Sequence, residues 1–151
     1  MPVGPHEKIA MPKERQRPVG GPADPRLALT LSVGGAAGAL ARFELTRLFP
    51  FAGHGWPWAT FVANIAGTLL LAYLFTRLQE RLPPTTYRRP LLATGFCGAL
   101  TTFSTLNVEV LKLARHGHAA LAIGYATASL ALGLVCVFAV TTLTRRAGLI
   151  R

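Results

Sequence analysis

The stretch Gly95–Leu106 reads GFCGALTTFSTL, and it stands inside a run that is otherwise Leu, Ala and Val. Two glycines and four hydroxyl side chains occupy places where a buried or membrane-crossing helix carries plain aliphatics. Gly95 and Gly98 weaken a helix, and the β-branched Thr101 and Thr102 carry hydroxyls that compete for backbone partners. The residues on either side, from Leu91 to Val110, are apolar over about 20 positions, the length that crosses roughly 30 Å of hydrocarbon at 1.5 Å per residue. A break at this point frees backbone carbonyls, which a membrane tolerates only where they are buried in protein or line a cavity. The other reading of the same residues is a kinked helix packed through small side chains.

Working outward, three more apolar stretches flank this one: Leu27–Ala41 continuing to Phe49, Trp58–Phe75 and Ala119–Leu143. Half of the 151 residues are hydrophobic and only 15% are charged, too few for a soluble fold of this size. A soluble bundle would show an outward polar face every third or fourth residue, and Leu27–Ala41 and Ala119–Val140 have none. The expected architecture is all-α: a polytopic membrane protein with four transmembrane helices over about 27–49, 58–76, 91–113 and 119–143, the third one broken. These make one domain, 27–144. Residues 1–26, rich in Pro, Gly and charge, read as a disordered basic tail, and 145–151 as a short basic C-terminal tail. A signal peptide ending at Ala39–Ala41 would leave an odd number of spans and is set aside.

The net charge of +10 is explained by where the charges sit, with no need for a nucleic-acid partner. Twelve of the 16 basic residues precede the first span, follow the fourth or lie between the second and third, three segments that share one side of a four-span protein. The positive-inside rule puts that side, with both termini, in the cytoplasm of a multi-pass cell-membrane protein. Cys97 and Cys136 fall within spans and suggest neither a disulfide framework nor a metal site. His116 and His118, in a short loop without further ligands, are read as solvated.

Polar residues inside spans are expensive in lipid and therefore informative. Gly34 and Gly38 form a small-xxx-small pair suited to close helix approach, and Arg42 follows a turn later, where it snorkels to the interface or meets a carbonyl, carboxylate or anion. Thr60, Asn64 and Thr68 recur every four residues along one face of the second span, as glue between helices or as the wall of a polar path. Tyr125 and Ser129 repeat that spacing in the fourth span, where their hydroxyls continue a polar track or simply bond to neighbouring helices. Glu109 lies beyond the polar cluster, where pairing with an Arg or capping a broken segment is expected. With six acidic residues and no paired carboxylates, hydrolase triad or phosphate loop, no enzyme chemistry can be assembled.

Four stretches, one per span and in order, carry a resemblance: GGAAGALAR (Gly34–Arg42), ATFVANIAGTLLL (Ala59–Leu71), GFCGALTTFSTLNVE (Gly95–Glu109) and GYATASLALG (Gly124–Gly133). Together they resemble the CrcB/Fluc fluoride channel family from Leu27 to about Thr144. The resemblance implies an antiparallel, dual-topology dimer, either a homodimer or a heterodimer with an oppositely oriented homologue, with narrow fluoride pores at its interface. It implies a structural sodium ion at the dimer centre, held by the backbone carbonyls of Gly98 and Thr101; oxygen ligands of that kind suit a hard cation. It assigns Asn64, Phe103, Thr105, Tyr125, Ser129 and Arg42 to the fluoride path. A ring such as Phe103 presents a positive edge to a small anion without the strong donors that would trap it.

Leu106 departs from the pattern, standing where the family has a second phenylalanine. That departure and the strong charge bias both favour pairing with an oppositely oriented homologue or a homodimer with a modified aromatic pair. The function implied is passive, fluoride-selective export that lowers fluoride toxicity. Two alternatives remain: a degenerate subunit of a heterodimeric channel, and a small dual-topology proton-coupled drug exporter. The exporter would need a carboxylate at the centre of the first span, where this chain has Gly34–Gly38.

Overall fold

The computed structural model describes residues 24–80 and 87–149, which are helical apart from short connections. Helix α1 (Pro25–Leu48) begins where Asp24 accepts a hydrogen bond from the Arg26 N–H at 3.0 Å, with Pro25 in the first turn where its missing donor costs nothing. Helix α2 (Trp58–Glu80) starts directly after Pro57. Helix α3 (Pro90–Cys97) is wound as a π-helix and runs into a single α-turn, Gly98–Leu100. Helix α4 (Phe103–Arg115) follows, and Gly117, at a φ of 83° that favours glycine, turns the chain into α5 (Ala119–Leu149).

The chain is helical where four spans are expected, with boundaries displaced by their caps. Helix α1 starts two residues before the expected Leu27, because Asp24 and Pro25 supply a start signal. Helix α5 runs six residues past Leu143, so Arg145 and Arg146 sit on its last turns. The expected tail up to Ala23, the linker 81–86 and residues 150–151 lie outside the described residues.

Among the described residues, three helical segments are long and apolar enough to cross a membrane: Trp58–Arg77, Pro90–Arg115 and Ala119–Ala147. Their outer faces are apolar: Leu134 is 73% and Phe138 74% exposed. The buried positions are largely small, among them Ala59, Ala63, Ala72, Ala93 and Ala122. That is the reverse of a water-soluble bundle, and it fits helices that meet each other through close backbone approach while showing bulk to hydrocarbon.

The tightest approach joins α1 to α3. A Cβ added at Gly34 would strike the Leu91 carbonyl, and one added at Gly38 would strike the Phe96 carbonyl and come within 3.1 Å of the Leu100 nitrogen. Gly95 returns the fit from the other side, where an added Cβ would come within 2.9 Å of the Leu31 carbonyl. The small-xxx-small pair therefore seats the segment just ahead of the break. A Cβ added at Gly35, by contrast, would meet nothing within 4 Å.

The two ends of the bundle differ. At one, the Tyr87 hydroxyl donates to Asp24 at 3.1 Å, and Arg89 lies over the Phe75 ring at 5.0 Å. The start of α1, the end of α2 and the start of α3 thus meet among Arg26, Arg77, Arg88 and Arg89. At the other end, Gly53 backs onto the His116 ring, and Trp56 packs edge-on against Phe61 and Tyr125 with centroids 5.3 and 5.4 Å away. His116 is exposed, as expected of a solvated loop residue, with its Nδ1 2.7 Å from the Lys112 carbonyl.

Candidate functional site

The interruption read in GFCGALTTFSTL falls at Thr101 and Thr102, two residues in extended conformation (φ −80°, ψ 148° and φ −150°, ψ 120°). In an unbroken helix the Thr102 N–H would serve the Gly98 carbonyl and the Thr105 N–H would serve that of Thr101. Here the Thr102 N–H donates to Asn64 Oδ1 at 2.7 Å, and the Thr105 N–H donates to the Thr102 hydroxyl at 3.3 Å. The carbonyls of Gly98 and Thr101 thereby lose their helical donors. They are the two that the resemblance assigns to a cation.

Helix α2 holds the break. Asn64 closes a two-bond ring with the Thr102 peptide, its Nδ2 donating to the Thr102 carbonyl at 3.1 Å. One turn along, Gly67 leaves the space into which the Thr101 methyl projects. Thr101 is also tied from its own side, its hydroxyl donating to the Cys97 carbonyl at 2.9 Å. Thr102 then caps α4, and its hydroxyl also donates to that of Thr105 at 3.0 Å. The polar stripe on α2 is therefore interhelical at Thr60 and Asn64, while Thr68 lines an open groove.

That groove, about 530 Å³, runs between α2, the break and α5, and Asn64, Thr68, Thr101, Thr102, Phe103 and Ser129 are among the residues lining it. Phe103 opens α4 and is 70% exposed, so most of its ring is left uncovered at the edge of the groove. Ser129 lines the groove while its hydroxyl donates back to the Tyr125 carbonyl at 2.7 Å. A separate cavity of about 170 Å³ gathers Arg42 with Thr60, Thr102 and Thr105. Thr105 thus links the break to the Arg42 side.

Of the two readings of the Tyr125 hydroxyl, the bond to a neighbouring helix is the one seen. Tyr125 is fully buried, and its hydroxyl donates to Glu109 Oε2 at 2.8 Å. Glu109 neither pairs with an arginine nor caps the break; its second oxygen accepts the Thr60 hydroxyl at 2.7 Å. This buried Thr60–Glu109–Tyr125 chain, roofed by the Trp56 and Phe61 rings, was not assembled from sequence. The signal available was one carboxylate inside an apolar run, for which a buried position needs donors on both oxygens. Leu106 is buried too, in a core cluster with Leu113, Ala122 and Tyr125.

No group of three metal-ligating side chains occurs among the described residues.

Helices with apolar outer faces, a broken crossing helix and an open groove that carries Asn64, Thr68 and Ser129 among apolar side chains define a multi-pass membrane protein of the small-solute-conducting kind. The chain belongs to the CrcB family: residues 29–141 match the family described as "CrcB-like protein, Camphor Resistance (CrcB)". It is 51% identical over 123 residues to the fluoride-specific ion channel FluC 1 of Mycolicibacterium paratuberculosis, covering 82% of this chain and 93% of that one. It is 50% identical, with the same coverage, to FluC 1 of Mycobacterium bovis. To the fluoride-specific ion channel FluC of Chlorobaculum tepidum it is 40% identical over 117 residues, 78% of this chain and 93% of the other.

Proposed function

We propose that this chain is the subunit of a fluoride-selective channel in the cell membrane that lets cytoplasmic fluoride leave passively. Hydrogen fluoride crosses membranes as the neutral acid and dissociates in the cytoplasm, so an anion leak lowers the accumulated fluoride. The observation that carries the reading is the single groove in which Asn64, the broken backbone at Thr101 and Thr102, the exposed Phe103 ring and Ser129 come together. A small anion meets there the second N–H of the Asn64 amide and the positive edge of an aromatic ring, contacts weak enough to release it. The names of the relatives point to the same solute.

The groove is open along one side, so it forms half a pore. A second, oppositely oriented subunit closes it, either another copy or a homologue. In the assembled channel α1 is the first of the four spans, its Gly34 and Gly38 facing α3 and its Leu29, Val33 and Leu40 facing lipid. Residues 27–144 form the channel domain, between a basic tail and a basic helix end. Arg42, in its cavity with Thr60 and Thr105, attracts fluoride toward the path. Tyr125 serves that path indirectly, by holding Glu109. Gly98 and Thr101 of both subunits would hold a sodium ion through their carbonyls; when bound, the ion supplies a fixed positive charge that joins the subunits.

A second reading, a subunit of a heterodimer with only one working pore, is favoured by Leu106. It packs into the core where the family places a phenylalanine, leaving Phe103 as the aromatic on this face. The drug-exporter reading fails on α1, whose centre is glycine pressed against α3 with no room for a carboxylate. Expression in a bacterium stripped of its own fluoride exporters tests the proposal. Growth on millimolar-class fluoride by this chain alone supports a homodimer; growth only with a paralogue supports the second reading; growth with neither refutes both.

A further inference from the structure

Two residues of α2, Asn64 and Gly67, lie three positions apart on one helix face and together seat the two extended residues of the break. Asn64 grips the Thr102 peptide at both its N–H and its carbonyl, as a neighbouring strand would. Gly67 receives the Thr101 methyl, and a Cβ there would collide with it. With its hydroxyl already on the Cys97 carbonyl, the Thr101 side chain is held at two points, and a fixed side chain fixes the peptide that follows it.

We infer that Asn64 and Gly67 form a template that presets the Thr101 carbonyl as a cation ligand within each subunit. The inference rests on the sodium reading above and goes beyond it in naming residues that touch no ion. Asn64 thereby acts on both ions, as part of the fluoride path and as a positioning residue for the cation. Its two bonds also consume the Thr102 N–H that would otherwise return to Gly98, so the same residue frees one carbonyl and aims the other. Partners that orient metal ligands change affinity by about 10–100-fold when removed.

The test uses the full-length protein purified in detergent and follows thermal unfolding against sodium chloride, with N-methylglucamine chloride holding ionic strength constant. The native protein gains stability with sodium at a defined midpoint. Asn64→Ser and Gly67→Ala each raise that midpoint by about tenfold or more. Thr101→Ser, which keeps the hydroxyl and removes the colliding methyl, restores it in the Gly67→Ala background, which a general packing defect would not do. Unchanged midpoints in both single variants, or no recovery in the double variant, overturn the template. No sodium effect on the native protein overturns the cation reading itself.

Discussion

Tyr125 and Glu109, on successive helices α5 and α4, share a 2.8 Å hydrogen bond in the interior, and Thr60 of α2 completes the pair from the opposite side at 2.7 Å. Three helices therefore meet on one buried carboxyl group beside the Arg42 cavity that Thr60 also lines. Replacing Tyr125 with Phe leaves one oxygen of Glu109 without its donor. A buried acceptor in that state costs about 1–3 kcal/mol. Tyr125→Phe and Thr60→Val should each lower unfolding temperature in detergent and slow fluoride efflux. Because both serve one group, the double variant should lose less than the sum of the two.

The α1–α3 contact yields a paired expectation. Gly34→Ala and Gly38→Ala put a methyl into the backbone carbonyls of Leu91 and Phe96, and both should abolish a monodisperse peak in size-exclusion chromatography. Gly35→Ala meets nothing and should be neutral or up to about 1 kcal/mol more stable, since alanine is the better helix former.

Thr102 is both cap and hinge. Thr102→Ala removes the oxygen that receives the Thr105 N–H and should cost about 1 kcal/mol in unfolding measurements, while Thr102→Ser, which keeps that oxygen, should stay close to the native value.

The helices were legible because length and apolarity alone specify them, and the break was legible because Gly98, Thr101 and Thr102 violate the surrounding pattern. Its position was legible too, since β-branched hydroxyl residues favour extended backbone and N-caps. Less legible was which polar residues face each other. Period-four spacing put Asn64 and Thr60 on one face of α2 but could not tell that one meets a peptide and the other a carboxylate. For the same reason the spacing of Tyr125 with Ser129 describes a helix face but does not name the partner, and only the fold shows Tyr125 buried against Glu109. Glu109 was hidden by its isolation, because its partners come from positions 49 residues earlier and 16 later. The π-helical winding of α3 left no mark in the spacing of its apolar residues.

The central claim, that Asn64 and Phe103 line a path for fluoride, is tested most directly by reconstituting the protein in liposomes loaded with fluoride and following efflux with a fluoride electrode, chloride release serving as control. If the chain pairs with a homologue, the two are reconstituted together. The account predicts rapid fluoride efflux with little chloride release, and loss of that efflux in Phe103→Ile and in Asn64→Asp while the dimer survives. Undiminished efflux in both variants, or equal release of chloride, would contradict it.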